Sequence, residues 1–451
     1  MGELFSLYDV KWGLTTPSPK ACVSCLSLRR PHMNYAKTVH KLREQIIKFS
    51  GELSFGWPKV MQRFIVESLY GIQARQSVRL TEIARSLEEK IPLRKTQYRL
   101  CRQLGRWGLW RKITDSLCQM ASSRVEEDTL LVLDISDIAK KYARRMEYLA
   151  TVHDGSEGTL ANGYWTCSVI GAEGEERMLN PLYSRLYSQA DPDFRSENAE
   201  VRKAISFVSK HTEKRGIWVL DRGGDRREIL HHLLGNKLRF IIRLKVDRHL
   251  VYRGNKRPAL EQALRCPMLY TEKIVKEERG KEKIYHLEFG YRPIRLPERK
   301  ESLYMVVVKG FGQNPMMLLT NVQVRKSRKS LWRIIQSYIT RWSIEETIRF
   351  IKQSYNLEDI RLLTYRRLQN MMALVLAVAY FAMVYLGIKT KLRVLARHVL
   401  KAARRLFGIP DFRFYALADG IRELLFGRHK GLEGFTQMLK IENQQMSLFD
   451  P

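Results

Sequence analysis

Tyr338, Arg341, Glu345 and Lys352 follow one another at intervals of three, four and seven residues within SYITRWSIEETIRFIKQS, residues 337–354. On an α-helix, which turns about 100° per residue, that spacing gathers all four within an arc of about 60°. Ile344, Ile348 and Ile351 border the polar strip on one side and Ile335, Ile339 and Trp342 on the other, an arrangement suited to a cleft rather than to open water. Two acidic residues far upstream bear on the same chemistry. Asp134 ends the apolar run TLLVLD and Asp221 ends IWVLD, and side chains at the carboxyl ends of strands project into the crevice where α/β sheets place their sites. With Glu345 reaching that crevice from its helix, three carboxylates would repel one another and hold protons more tightly unless a cation neutralised them. Oxygen donors alone select Mg2+ or Mn2+ over zinc or copper. A pair of such ions about 4 Å apart activates a water or hydroxyl on one side of a phosphodiester and stabilises the leaving oxygen on the other.

Arg341 lies one turn before Glu345 and Lys352 two turns after it. Both are placed to hold neighbouring phosphates, the first by its bidentate fork and the second as a point charge. Tyr338 suits a hydrogen bond to phosphate or a stack on a base. Any one of these residues on a helix is ordinarily just solvated, so their conjunction with two strand-terminal aspartates carries the reading. Several roles stay open. Asp137 is an alternative ligand to Asp134, which strand-end placement favours, and Ser136 supports the turn rather than acting as a nucleophile. Arg222 and Asp225 either support the site or are structural, and Trp342 either stacks near nucleic acid or packs in the core.

These side chains need a scaffold. Residues 1–33 lack periodicity and read as a flexible or non-native arm, with Met33 as an alternative start. Residues 34–125 carry apolar residues at helical spacing and read as a helical DNA-binding domain. Within it LTEIARSL, a turn at Pro92 and RKTQYRLCRQLGRWG outline a helix-turn-helix, and a plain helical pair with a solvated basic face fits equally. Arg94, Lys95 and Arg99 are the expected DNA contacts there, with Arg102 and Arg106 on the same helix.

Residues 126–245 alternate apolar strand-like runs with the amphipathic segments ENAEVRKAISFVSKHTEK and RREILHHLLG, the pattern of a mixed α/β sheet. Gly155 and Gly163 punctuate the loop before the run YWTCSVIG. Residues 246–330 hold short strand-like runs between basic loops such as RGNKRP and read as a β-rich insertion. Residues 331–390 return with the tetrad helix and MMALVLAVAYFAMVYL, residues 371–386, an apolar run marginal for spanning a bilayer and read as a buried helix. Residues 391–451 read as a basic helical region, and 388–430 hold eleven Lys or Arg against three Asp or Glu.

A chain of 451 residues with 45% hydrophobic and 10% aromatic residues can build two or three real cores, which excludes global disorder. Seventy-nine Lys and Arg against 47 Asp and Glu leave a net charge of +32. A polyanion is the natural partner, and because the basic residues recur along the whole chain, nucleic acid is favoured over a membrane surface. Six scattered cysteines are too few for a disulfide framework and point to a reducing, intracellular compartment. The Cys22 and Cys25 pair, with His32 and His40 beyond it, sketches only a weak zinc pattern because the spacing is irregular.

The tetrad matches in full the Y-(2)-R-(3)-E-(6)-K signature of the DDE transposases of bacterial insertion sequences, the insertion-sequence-four family, which the chain resembles over about residues 129–360. LDIS around Asp134 looks like the family's first-aspartate motif and LDRGGD around Asp221 like its second. The resemblance implies a ribonuclease-H-like core in which Asp134, Asp221 and Glu345 are the catalytic and metal-binding triad. It further implies two Mg2+ ions that Mn2+ can replace, and it makes the β-rich stretch the insertion of this branch. By the same resemblance the chain binds terminal inverted repeats, hydrolyses a strand at the element end and uses the freed 3′ hydroxyl to attack target DNA. A homodimer on paired ends, no membrane, and a bacterial cytoplasm at the nucleoid complete the expectation. Two other readings fit the same residues: a ribonuclease-H-like nuclease or resolvase without strand transfer, and a DNA-binding repressor with an inactive core.

Overall fold

The helical spacing of the first hundred residues is realised as five helices, α1 (Tyr35–Leu53), α2 (Lys59–Arg75), α3 (Leu80–Leu87), α4 (Leu93–Leu104) and α5 (Leu109–Ser122). Pro58 and Pro92 stand immediately before α2 and α4, where a fixed φ and a missing N–H cost a helix nothing. The alternating region follows as β1 (Leu130–Ala139), β2 (Ala150–Asp154), β3 (Thr159–Glu173), β4 (Met178–Tyr187), α6 (Glu197–His211), β5 (Ile217–Leu220), α7 (Arg227–Gly235) and β6 (Arg239–Arg243). Then come β7 (His249–Tyr252), β8 (Asn255–Pro258), α8 (Ala259–Leu264), β9 (Tyr270–Glu278), β10 (Lys281–Ile294), β11 (Leu303–Lys309) and β12 (Met316–Thr320). Helices α9 (Arg328–Ser354), α10 (Tyr365–Tyr380) and α11 (Phe414–Phe426) follow among the described residues. This is a computed structural model, and it describes residues 35–155, 157–173, 178–278, 281–386 and 414–426. The expected arm, the Cys22/Cys25 pair and most of the expected basic tail lie outside the described residues.

The chain divides into two compact units. One comprises Tyr35–Ile217 and the described residues from Arg341 onward, the other Trp218–Thr340, so a boundary passes through α9. In the first unit β3 pairs antiparallel with β1, β2 and β4. Because β3 begins at Thr159, Gly163 lies inside the strand rather than in the loop before it. A Cβ there would sit 2.4 Å from the Ile138 carbonyl oxygen, so the β1 and β3 backbones approach too closely for any side chain. Helix α6 starts where Ser196 Oγ accepts the Ala199 N–H at 3.1 Å, with Glu197 and Glu200 in its first turn to complement the helix dipole.

Helix α10 supplies the core of this unit. Its polar first turns clamp neighbours: Asn370 Nδ2 donates to Leu104 O at 2.7 Å and Arg106 O at 3.0 Å, and Trp110 N–H donates to Asn370 Oδ1 at 2.8 Å. From Met371 to Tyr380 every residue is buried. Tyr365–Tyr385 is long and apolar enough to cross a membrane, but 89% of its most apolar window is buried inside the protein, in line with the buried-helix expectation. Helix α4 ends at Leu104, with Gly105 as its C-cap, short of the run RKTQYRLCRQLGRWG.

In the second unit the strand order is β5-β6-β12-β11-β10-β9, with every neighbouring pair from β6 to β9 antiparallel. The β-rich stretch therefore extends the sheet begun by β5 and β6. Its basic segment RGNKRP, expected as a loop, makes the β7–β8 hairpin, with Arg253 (φ +48°) and Gly254 (φ +82°) between the paired strands. ALEQAL forms α8 inside a stretch expected to be β-rich. Strands and helices alternate as a mixed α/β protein requires.

Candidate active site

Asp134 lies in the middle of β1, which runs on to Ala139; it does not end the strand. The segment after it, ISDIA, pairs with β3 in register, Asp134 opposite Ser168 and Ser136 opposite Thr166. Ser136 therefore supports no turn. It shares a strand face with Asp134 and donates to its Oδ2 at 3.4 Å. Strand-end placement no longer favours Asp134 over Asp137, which stands nearer the end of β1. Both carboxylates have partners: Lys352 Nζ approaches Asp137 Oδ2 at 3.6 Å, and Asp134 Oδ2 accepts from Ser136.

Along α9 the four tetrad residues behave differently from one another. Arg341, 6% exposed, donates through Nη1 to Glu345 Oε1 one turn on, so the carboxylate is already neutralised within its own helix. Tyr338 is 0% exposed, and Ile334, Ile335 and Ile339 around it are buried too. Its ring offers no face to solvent, which corrects the expected contact with a phosphate or base: in this structure it is a core residue. Lys352 points to Asp137 as described. The Trp342 side chain lies outside the described residues.

One residue of this region had no signal in the sequence. Lys140, 6% exposed, sends its ammonium to the carbonyl oxygens of Leu357 (3.3 Å), Glu358 and Ile360 (3.1 Å). Burial pushes its pKa down to about 8. It ties the segment following α9 to the end of β1, beside the Asp137–Lys352 pair.

In the other unit Asp221 ends β5 as expected and caps a single 3-10 turn, Arg222–Gly224, by accepting the Gly223 N–H on Oδ1 at 2.7 Å. The DRGG sequence suits this turn. A Cβ on Gly224 would fall 2.5 Å from Leu220 Cβ, and one on Gly223 2.9 Å from Asp221 Oδ1. Asp225 takes the structural one of its two roles. It is buried, accepts Lys245 N–H and Arg248 Nε–H at 2.7 Å each, and fixes the loop after β6. Burial pushes its pKa up.

Among known families, a model described as the transposase DDE domain covers part of this sequence. Residues 198–381 match the transposase DDE domain. The DDE-domain match takes in Asp221, Glu345 and the whole tetrad, and it begins beyond Asp134. No curated protein matches the sequence. Among solved structures, a piggyBac transposase synaptic complex with hairpin DNA is similar at 10% identity and a TM-score of 0.45, covering 90% of this chain and 81% of that one. The NurA nuclease from Sulfolobus solfataricus is similar at 11% identity and a TM-score of 0.23, covering 60% of this chain and 96% of that one. At those scores neither likeness carries an argument about this chain.

Against the DDE-domain match, the donor chemistry is right for a divalent ion: Asp134, Asp221 and Glu345 all offer hard carboxylate oxygens. Asp134 and Glu345 belong to one unit and Asp221 to the other. Among the described residues no group of three or more His, Cys, Asp or Glu lies together as an ion-holding set. In the helical region Arg94 and Lys95 are exposed, as a DNA contact needs. Arg99 is not available in the same way, because its guanidinium forks between Glu67 and Glu89 (2.8 Å) inside the helical packing. It sits at the edge of the buried face of α4, where an unpaired charge would be costly.

Proposed function

We propose that this chain is a DDE transposase that binds the terminal inverted repeats of an insertion sequence, cuts a DNA strand at the element end and joins the freed end to target DNA. The observation that carries the reading is the run of Tyr338, Arg341, Glu345 and Lys352 along one unbroken helix, within residues that match the transposase DDE domain and downstream of the strand-terminal Asp221. In this reading Asp134, Asp221 and Glu345 would be the residues that hold two divalent ions, Mg2+ with Mn2+ as substitute. Bound there, such ions make a water or 3′ hydroxyl a better nucleophile and stabilise the leaving oxygen.

The chain's own residues do the positioning. Ser136 orients the Asp134 carboxylate through its hydroxyl. Arg341 exchanges Glu345 for a phosphate oxygen when DNA arrives, and Lys352, held in the meantime by Asp137, adds a point charge beside the strand. Tyr338 acts from the core, fixing the helix that presents them. Helices α3 and α4 bind DNA through Arg94 and Lys95, a homodimer brings two ends together, and the setting is a bacterial cytoplasm at the nucleoid. The ribonuclease-H-like identity of the core belongs to the same proposal.

The test is DNA carrying the element's terminal repeats with Mg2+. We expect nicking by the natural chain and a loss of about 10³-fold or more in Asp134→Ala, Asp221→Ala and Glu345→Ala. Pre-cut ends should join to a target plasmid. Cleavage without joining would leave a nuclease or resolvase, and salt-sensitive binding without any cleavage would leave a repressor.

A further inference from the structure

We infer that α4 and the turn after it form a stacking surface for an unpaired stretch of DNA. That the polymer is DNA rests on the proposed function; that it is unpaired rests on the surface itself. On α4, Arg94, Tyr98 and Arg102 recur every four residues and Lys95 lies beside the first, so the four share an arc of about 100° over about 12 Å of helix. The opposite arc of Thr96, Leu100, Gln103 and Leu104 is buried. Tyr98 is 75% exposed, and Trp107, three residues past the end of α4, is 86% exposed. Arg106 is exposed beside it, and the Arg366 guanidinium stands 5.8 Å from the Trp107 ring centroid. Between Glu89 and Asp115 the sequence has eight Lys or Arg and no acidic residue.

The turn that presents Trp107 is built, not loose. Arg367 Nε donates to Cys101 O at 3.2 Å, and the buried Asn370 amide holds the Leu104 and Arg106 carbonyls. A Trp and a Tyr held in water in this way forgo the burial that aromatic rings ordinarily obtain. A duplex hides the faces of its bases, whereas an unpaired strand offers them to aromatic rings and its phosphates to the interleaved cations, with little dependence on sequence. Reading α4 only as a groove-binding helix accounts for Arg94 and Lys95 and leaves Trp107 without a role.

The experiment measures binding of labelled oligo(dT) and of a duplex of equal length to the full chain, to Trp107→Ala, to Tyr98→Ala and to the conservative Trp107→Phe. Each alanine variant should bind oligo(dT) about 5- to 100-fold more weakly, with duplex binding changed less than about 2-fold and Trp107→Phe retaining most of the affinity. Both side chains are exposed, so an unchanged melting temperature controls for folding. Oligo(dT) binding untouched by either alanine would overturn the inference, and so would an equal loss on duplex and single strand. Failure of the proposed function shows differently, as absence of metal-dependent cleavage with strand binding intact.

Discussion

At the scale of single residues, Lys140 shows how a charge can be structural. Its ammonium is held by backbone carbonyls, and burial lowers its pKa from 10.5 to about 8. Between those values the unfolded chain carries a proton that the folded chain lacks, so raising the pH disfavours unfolding; the cost of burying the charge is present in full below pH 8 and relieved above it. Urea melts of the natural chain and of Lys140→Met should therefore diverge. The difference in unfolding free energy should move in favour of the natural chain by about 2 kcal/mol between pH 8 and pH 10, and a flat or opposite trend would contradict the buried placement. The tetrad was legible because helical spacing converts directly into a shared face, and Asp221 because an apolar run ending in an aspartate announces a strand and its end. The pairing of Arg341 with Glu345, of Lys352 with Asp137 and of Arg99 with Glu67 and Glu89 was not legible as an outcome. An exposed and a buried charge look alike until the neighbouring elements are in place.

At the scale of elements, the backbone geometry of β1 and β3 decides where Asp134 stands. Gly163→Ala would push a methyl to within 2.4 Å of the Ile138 carbonyl and 2.7 Å of Val152 Cγ2, forcing the two strands apart. We expect a loss of about 2 kcal/mol or more in unfolding free energy and, on the proposed function, weaker cleavage because β1 carries Asp134. An unchanged urea midpoint would show that the strands do not pack this closely. The glycine reads as a loop marker in the sequence, since a turn and a close strand crossing call for the same residue. The extension of β1 beyond Asp134 was hidden for a related reason: once an aspartate interrupts an apolar run, only pairing with β3 shows that the strand continues. By contrast α3 appears in the sequence with the bounds the structure gives it, because its apolar positions keep helical spacing between clear breaks.

At the scale of the whole molecule, the net charge of +32 makes an electrostatic prediction that needs no site. If six to ten phosphates are neutralised on binding, affinity for random duplex DNA should fall about 10³- to 10⁵-fold between 50 and 200 mM salt. Fluorescence anisotropy across that range measures the slope, and a nearly flat response would mean that the cations are committed to internal pairs. Several are: Arg63 and Arg99 meet Glu67 and Glu89, and Arg248 meets Asp225. The β-rich stretch gives the matching lesson about topology. Strands β9 to β12 were legible as short apolar runs and the β7–β8 hairpin was not, and the place of β12 beside β6 was hidden because antiparallel pairing between distant segments leaves no local trace.

Residue types and their periods by themselves determined the class of elements, the shared helix face of Tyr338, Arg341, Glu345 and Lys352, the strand-terminal Asp221 and the polyanion-seeking charge. These depend on local backbone geometry and on sums over the chain. Burial of Tyr338, ion pairing of the tetrad's charges, the carbonyl cage of Lys140 and the exposed Trp107 were decided only by tertiary structure. Each depends on which distant segment fills the space beside the side chain, and that is a property of packing rather than of sequence spacing.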